Sequence, residues 1–232
     1  ACRGGRLCAF AMSQQNTPTS FRVAVVPVTG FQQNCSIIYD NDSKRGAVVD
    51  PGGDVDMILE AIAKMGLAIE KILLTHGHID HAGGAAELRE KLRVRIEGPH
   101  EGDKFLLDNL PQSGARYGMV NAREVTPDRW LKDGDTVEAA GFTFAIVHAP
   151  GHSPGSVVFF NAANHFALMG DVLFQGSVGR TDLPGGSHET LLSSIREKVL
   201  PLGDDVVFLP GHGPASRIGD ERTSNPFLTG QA

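Results

Sequence analysis

At 232 residues and 41% hydrophobic content, the chain can bury a sizeable core. A net charge of −6 without any Lys/Arg block excludes an electrostatic footprint for nucleic acid. No apolar run reaches 18 residues and the three cysteines lack zinc-finger spacing, which excludes a membrane-spanning helix and a disulfide framework. A reducing, cytoplasmic setting is expected, with no nucleic-acid or membrane partner and a monomer as the default state.

Residues 1–20 carry Arg3 and Arg6, no acid and an internal Met12. They lack the apolar core of a secretory signal and are only weakly amphipathic for a transit peptide. They read as a disordered or upstream extension ahead of Met12. The folded region is expected over residues 21–232, as one domain.

Phe21 to Val28 is rich in β-branched residues and predicts a strand, followed by strands at Asn34 to Tyr39 and Ala47 to Val49. Short links between them suggest an antiparallel start. In the second of these, Cys35 reads as a small packed hydrophobe. Asp54 is placed to cap a helix to about Lys64, in which Val55, Ile58, Leu59, Ile62 and Ala63 form one apolar face and Gly66 is the stop. Ile69 to Leu74 predicts a strand buried on both faces. Helices are expected near residues 84–92 and from Glu101 to Leu107, around a short strand at 94–96. Residues 108–123 show no clear period and read as a surface loop, where Tyr117 could line a pocket. In the second half, strands are expected at 136–138, 142–148, 156–160, 166–169 and 206–209. Residues 172–186 read as a Gly-rich loop, and Ser187 caps a helix to about Val199. Two face-to-face sheets with helices outside would bury these strands, which makes the fold class mixed α/β.

The chemistry concentrates where apolar strands end. Leu74 leads to Thr75-His76-Gly77-His78-Ile79-Asp80-His81, His148 to His152, Met169 to Asp171, and Leu209 to His212, each with a glycine beside it (Gly77, Gly151, Gly170, Gly211). Three imidazoles packed together need partners for their donors and acceptors, and a divalent metal supplies one. If these ends meet at one edge, five histidines and two aspartates converge. Seven candidates exceed what one metal takes and suggest two metals, with one carboxylate between them. Zinc is the expected metal; N/O ligation without cysteine also suits iron or manganese.

His76-x-His78-x-Asp80-His81 followed by His152, Asp171 and His212 resembles the metallo-β-lactamase superfamily over residues 21–228. Leu173 to Asp182, Pro210-Gly211-His212-Gly213-Pro214 and Glu221 to Leu228 are similar to the short bacterial glyoxalase II-type hydrolases, without the C-terminal helical domain of full-length members. The resemblance implies a four-layer αβ/βα sandwich. It implies that His76, His78 and His152 bind one metal and Asp80, His81 and His212 the second, with Asp171 bridging. Asp80, His81 and Asp171 would carry catalysis, and a hydroxide bridging the metals would attack a small-molecule thioester such as S-lactoylglutathione. Thiolate departs without protonation, which suits a site lacking a general acid. Arg180 would hold a substrate carboxylate.

The resemblance also admits a mononuclear iron persulfide dioxygenase of the same fold. It departs from the β-lactamases that place a cysteine among the second metal's ligands, since Cys2, Cys8 and Cys35 lie away from the motifs. Elsewhere, His148 reads as packed, and His100, His165 and His188 as solvated. Asp50 is either turn chemistry or an acceptor for a ligand imidazole. Arg222 and Asn225 read as ties for the C-terminus.

Overall fold

The computed structural model describes residues 20–231; the expectation for the first nineteen residues lies outside them. Among the described residues, the first sheet runs β1 (Phe21–Val28), β2 (Gln33–Asp40), β3 (Arg45–Val49), β4 (Ala68–Leu73), β5 (Arg95–Glu97) in spatial order. The first three strands are antiparallel, as their short links require; β3, β4 and β5 are parallel and joined by crossovers. These crossovers carry α1 (Val55–Met65), α2 (Ile79–Ala82) and α3 (Ala85–Leu92). Two more helices follow, α4 (Lys104–Asp108) and α5 (Leu110–Tyr117). The second sheet contains β6 (Thr136–Ala139), β7 (Phe142–His148), β8 (Val157–Asn161) and β9 (Phe166–Gly170). A small hairpin, β10 (Leu173–Phe174) and β11 (Ser177–Val178), then precedes α6 (His188–Ser194). The chain closes with β12 (Val207–Pro210), β13 (Ser216–Arg217), α7 (Ile218–Ser224) and α8 (Pro226–Thr229). The order in the second sheet is β13-β12-β9-β8-β7-β6.

Strand alternation sorts the core into three slabs. Ile38, Val49 and Leu73 of the first sheet meet Phe144, Ile146, Phe159 and Leu168 of the second. Their neighbours in sequence, Ile37, Val48 and Ile72, face the other way and pack on Ile58 and Ile62 of α1 and Leu88 of α3. On the far side Val158, Met169 and Phe208 pack on Leu191 and Ile195 at the α6 end and on Ile218. The layers therefore run helix, sheet, sheet, helix, and each fully buried Phe or Ile contributes roughly 1.5–3 kcal/mol through burial.

Four local expectations differ from the structure. Residues 110–117 form α5, because Pro111 occupies the first turn, where no backbone donor is needed, and Gly118 ends the helix at φ 75. Gly114 is required inside it, since a Cβ there would lie 2.5 Å from the Met119 carbonyl oxygen. Residues 172–186 contain the β10–β11 hairpin. Asp54 does not cap α1; its carboxylate instead accepts the Thr29 N–H at 2.6 Å and ties α1 to the β1–β2 turn. Only the end of β4 is fully buried, and its Lys71 pairs with Glu97 at 2.6 Å. Among the described residues no helix is long and apolar enough to cross a membrane.

Candidate metal centre and substrate cleft

Strands β4, β7, β9 and β12 release the chain at one edge of the stacked sheets. Links between the loops fix that edge. The Val157 N–H donates to the Thr75 carbonyl across the sheets, the Gly211 N–H to Gly170, and the Asn34 N–H to Gly211. His76 follows β4, His78 sits at the start of α2, and Asp80 and His81 lie within its four residues. His152 follows β7, Asp171 follows β9, and His212 follows β12. All seven residues singled out from the sequence come together here.

They fall into two groups, His76/His78/His152 and Asp80/His81/His212, each with its ligand-type atoms within 4.8 Å of one another. In the first, Nε2 of His152 lies 3.2 Å from Nε2 of His76 and 2.9 Å from Nδ1 of His78. In the second, Nε2 of His212 lies 3.0 Å from Asp80 Oδ2, and Nε2 of His81 lies 3.7 Å from that oxygen. Asp171 stands between: Oδ1 is 3.4 Å from His81 Nε2, and Oδ2 is 3.6 Å from both His152 Nε2 and His212 Nε2.

The hydrogen-bond network fixes which nitrogens are bare. Thr75 donates its hydroxyl to Asp50, so its oxygen accepts from His76 Nδ1 at 3.0 Å, leaving His76 Nε2 a lone pair. His152 donates Nδ1–H to the Arg180 carbonyl at 2.8 Å, leaving Nε2 a lone pair. Two lone pairs thus face each other at 3.2 Å with no proton between them. His81 donates Nδ1–H to Asp50 at 2.9 Å; its Nε2 and Asp171 Oδ1 are buried without partners. Buried polar atoms left unpaired are costly, and a cation at each group would satisfy these. The donor set therefore fits divalent metal.

Asp50 resolves as an acceptor. Its oxygens take the Thr75 N–H, the Thr75 hydroxyl and His81 Nδ1–H, so the further grouping of Asp50 with His76 and His81 is a hydrogen-bonded support behind the ligand atoms. Burial holds His78 down to about 3, with His152 beside it adding to the effect. Burial opposes charge on His81 too, but without a cation the Asp171 and Asp80 carboxylates carry it well above its ordinary value, a proton then taking the place a metal would fill. Burial would raise Asp171 and Asp80, yet His81 beside them keeps both below the usual carboxylate range.

The Metallo-beta-lactamase superfamily profile matches residues 28–212, a span that contains all seven residues. This chain belongs to the metallo-β-lactamase superfamily. The hydroxyacylglutathione hydrolase GloC of Haemophilus influenzae is 46% identical over 211 residues, covering 90% of this chain and 99% of the relative. The crystal structure of the BLEG-1 B3 metallo-β-lactamase is similar at TM-score 0.82 and 37% identity, covering 90% of this chain and 100% of that one. TTHA1623 in a di-iron-bound form follows at TM-score 0.79 and 33% identity, covering 88% and 100%.

In this member of the superfamily the cluster opens into a cleft of about 700 Å³. Phe31, Leu106, Tyr117 and Phe174 give it apolar walls, and Arg116 and Arg180 reach it. Phe31 and Tyr117 meet edge to face across the rim, with ring centroids 5.3 Å apart. The Arg180 guanidinium is already engaged with Asp182 in a bidentate pair at 2.8 and 2.6 Å. Its clearest service to the site is its carbonyl, which orients His152. Asn225, fully buried, donates to Phe174 and Ser177 carbonyls and to Glu221, fastening the hairpin that brings Phe174 to the cleft; Arg222 holds Asp204 and the Leu200 carbonyl. His148 packs flat on His100 at 4.0 Å and donates to the Pro154 carbonyl, whereas His165 is exposed and paired with Asp205.

Proposed function

We propose that this chain hydrolyses small acyl thioesters of the S-lactoylglutathione kind, with two divalent metal ions held by the residues at the sheet edge. Superfamily membership and the hydrolase relative make the chain a metal-dependent hydrolase; the substrate and the metal count are our reading. The observation that carries it is the pair of ligand groups with Asp171 between them at the floor of the cleft. In this reading His76, His78 and His152 would hold one metal, Asp80, His81 and His212 would hold the other, and Asp171 would serve both. When bound, the two cations supply an acidified water and positive charge for the oxygen of the attacked carbonyl. Zinc suits the donor set, and the di-iron form of a 33% identical protein puts iron beside it.

The leaving group follows from the protein's own charges. Asp80 and Asp171 both lie among the proposed ligands, and a carboxylate bound to a cation is a poor proton donor. Neither can donate a proton near neutral pH. A thiolate, with a pKa of about 8.5, leaves without one, which favours thioesters over esters and amides. The aromatic rim suits the apolar part of an acyl-thiol, and a cation at the cleft suits a carboxylate on it.

The likeness to BLEG-1 supports β-lactam hydrolysis as a second reading. Rates on S-lactoylglutathione and on a chromogenic cephalosporin, taken on the same metal-loaded preparation, separate the two. Thioester kcat/KM should exceed the cephalosporin value at least a hundredfold, and the reverse ranking overturns the proposal. One iron per chain with oxygen uptake on glutathione persulfide would establish the dioxygenase instead. Arg180→Ala should raise KM for an acidic thioester more than it lowers kcat. Asp182→Asn frees the guanidinium and should lower that KM. Unchanged KM in both variants removes Arg180 from the substrate site.

A further inference from the structure

Asp103 belongs to neither ligand group, yet it grips both chain segments that build the first one. It ends a short 3-10 turn just ahead of α4 and is fully buried. Its Oδ2 accepts the Gly77 N–H at 2.8 Å and the Ser153 hydroxyl at 2.7 Å, and its Oδ1 accepts the Gly155 N–H at 2.5 Å. Gly77 lies between His76 and His78, and Ser153 directly follows His152. These two segments come from different sheets and are 74 residues apart in sequence, so their alignment is a matter of tertiary fixing. Beside the Val157–Thr75 backbone bond, one carboxylate ties the two turns that carry the histidines.

The fit is close on both sides. A Cβ at Gly155 would sit 2.6 Å from Asp103 Cγ, and a Cβ at Gly77 would sit 2.8 Å from Leu106 Cβ and 3.2 Å from Asp103 Cβ. The two glycines thus let the carboxylate reach backbone donors that side chains would screen. Bonds to an ionised acceptor are the strong ones, and a buried carboxylate with three donors aimed at it gives up a great deal if moved. None of these bonds reaches Asp80, His81 or His212.

We propose that Asp103 is a positioning residue that sets the spacing of His76, His78 and His152, and thereby the metal affinity of that group alone. The inference rests on the two-metal reading. Supporting structure of this kind orients ligands that it never replaces.

Zinc titration of the metal-free full chain with a competing chelator, run on wild type, Asp103→Asn and Ser153→Ala, tests it. Asp103→Asn keeps size but sets an amide against at least one of the three donors. It should weaken one zinc equivalent at least tenfold and leave the other within threefold. Ser153→Ala removes one donor and should weaken the same equivalent by a smaller factor. Equal weakening of both equivalents, or none, in a variant with wild-type circular dichroism overturns the proposal. If Asp103→Asn does not fold, Ser153→Ala decides alone: a shift in one equivalent supports the role, and no shift ends it. A wild-type chain that takes one equivalent defeats the two-metal reading instead, and Asp103's role then stands or falls on whether that equivalent weakens.

Discussion

Asp171→Ala is expected to lose both metal ions together and to lower kcat/KM by about a thousandfold or more, the equivalent of roughly 4 kcal/mol of transition-state stabilisation. Asp171 is the carboxylate that lies close to members of both groups: Oδ1 is 3.4 Å from His81, and Oδ2 is 3.6 Å from both His152 and His212. Without it the first group holds three imidazoles and no carboxylate, and the second keeps the single carboxylate of Asp80. Two cations would then lie close together with less negative charge between them, and each would weaken the other's hold. Asp171→Asn separates charge from shape, because it keeps the volume and one acceptor oxygen. It should also fall well short of two equivalents. Metal content per chain checks the claim, and a full two equivalents in Asp171→Ala would remove Asp171 from the proposed bridge.

Gly211→Ala should damage the same site without replacing a proposed ligand. A Cβ at this position would fall 2.2 Å from Asp171 Oδ1 and 2.4 Å from His81 Cε1, below any contact that real side chains make. The backbone cannot retreat freely, since the Gly211 N–H is bonded to Gly170 and its carbonyl accepts the Asn34 N–H. The strain falls on Asp171 and His81, where a displacement of about 1 Å costs on the order of a hundredfold in rate. Overpacking of this kind also costs about 1–3 kcal/mol of stability. Gly213→Ala is the control. Nothing lies within 4 Å of a Cβ there, and its penalty is the left-handed backbone at φ 74, about 1 kcal/mol. It should keep its full metal content, whereas Gly211→Ala should not. Wild-type metal content and rate in Gly211→Ala would mean that the loop can shift, and that the close packing around Asp171 is unimportant.

Why the residues that cluster at the sheet edge could be found from sequence, and the residues behind them could not, has a physical cause. His76, His152, Asp171 and His212 each follow an apolar strand at a glycine, a local pattern that survives without knowledge of the fold. The four layers followed because strand alternation and the α1 stripe already say which face each side chain takes. Asp103 carries no such mark. Its partners Gly77, Ser153 and Gly155 are 26, 50 and 52 residues away, and an acid at a helix start reads as capping. Asp50 stood undecided until the fold placed His81 Nδ1 and Thr75 against it. Gln33, buried 3.5 Å from His81 Nδ1, was missed for the same reason. Helix α5 was hidden because Pro111 and Gly114 are breakers by propensity, and their tolerance depends on position and on the Met119 crossing. For Arg180 the residue type pointed to substrate, while the structure shows its charge shared with Asp182 and its carbonyl on His152. Only the bonding pattern could reveal that division.

The most direct test of the central claim is metal content per chain measured across a stepwise reloading of chelator-treated protein, with S-lactoylglutathione hydrolysis followed on the same samples. The two ligand groups predict that content rises to two equivalents and that hydrolysis reaches its plateau only as the second is taken up. Full hydrolysis at one equivalent, or two equivalents with no thioester turnover, would contradict it.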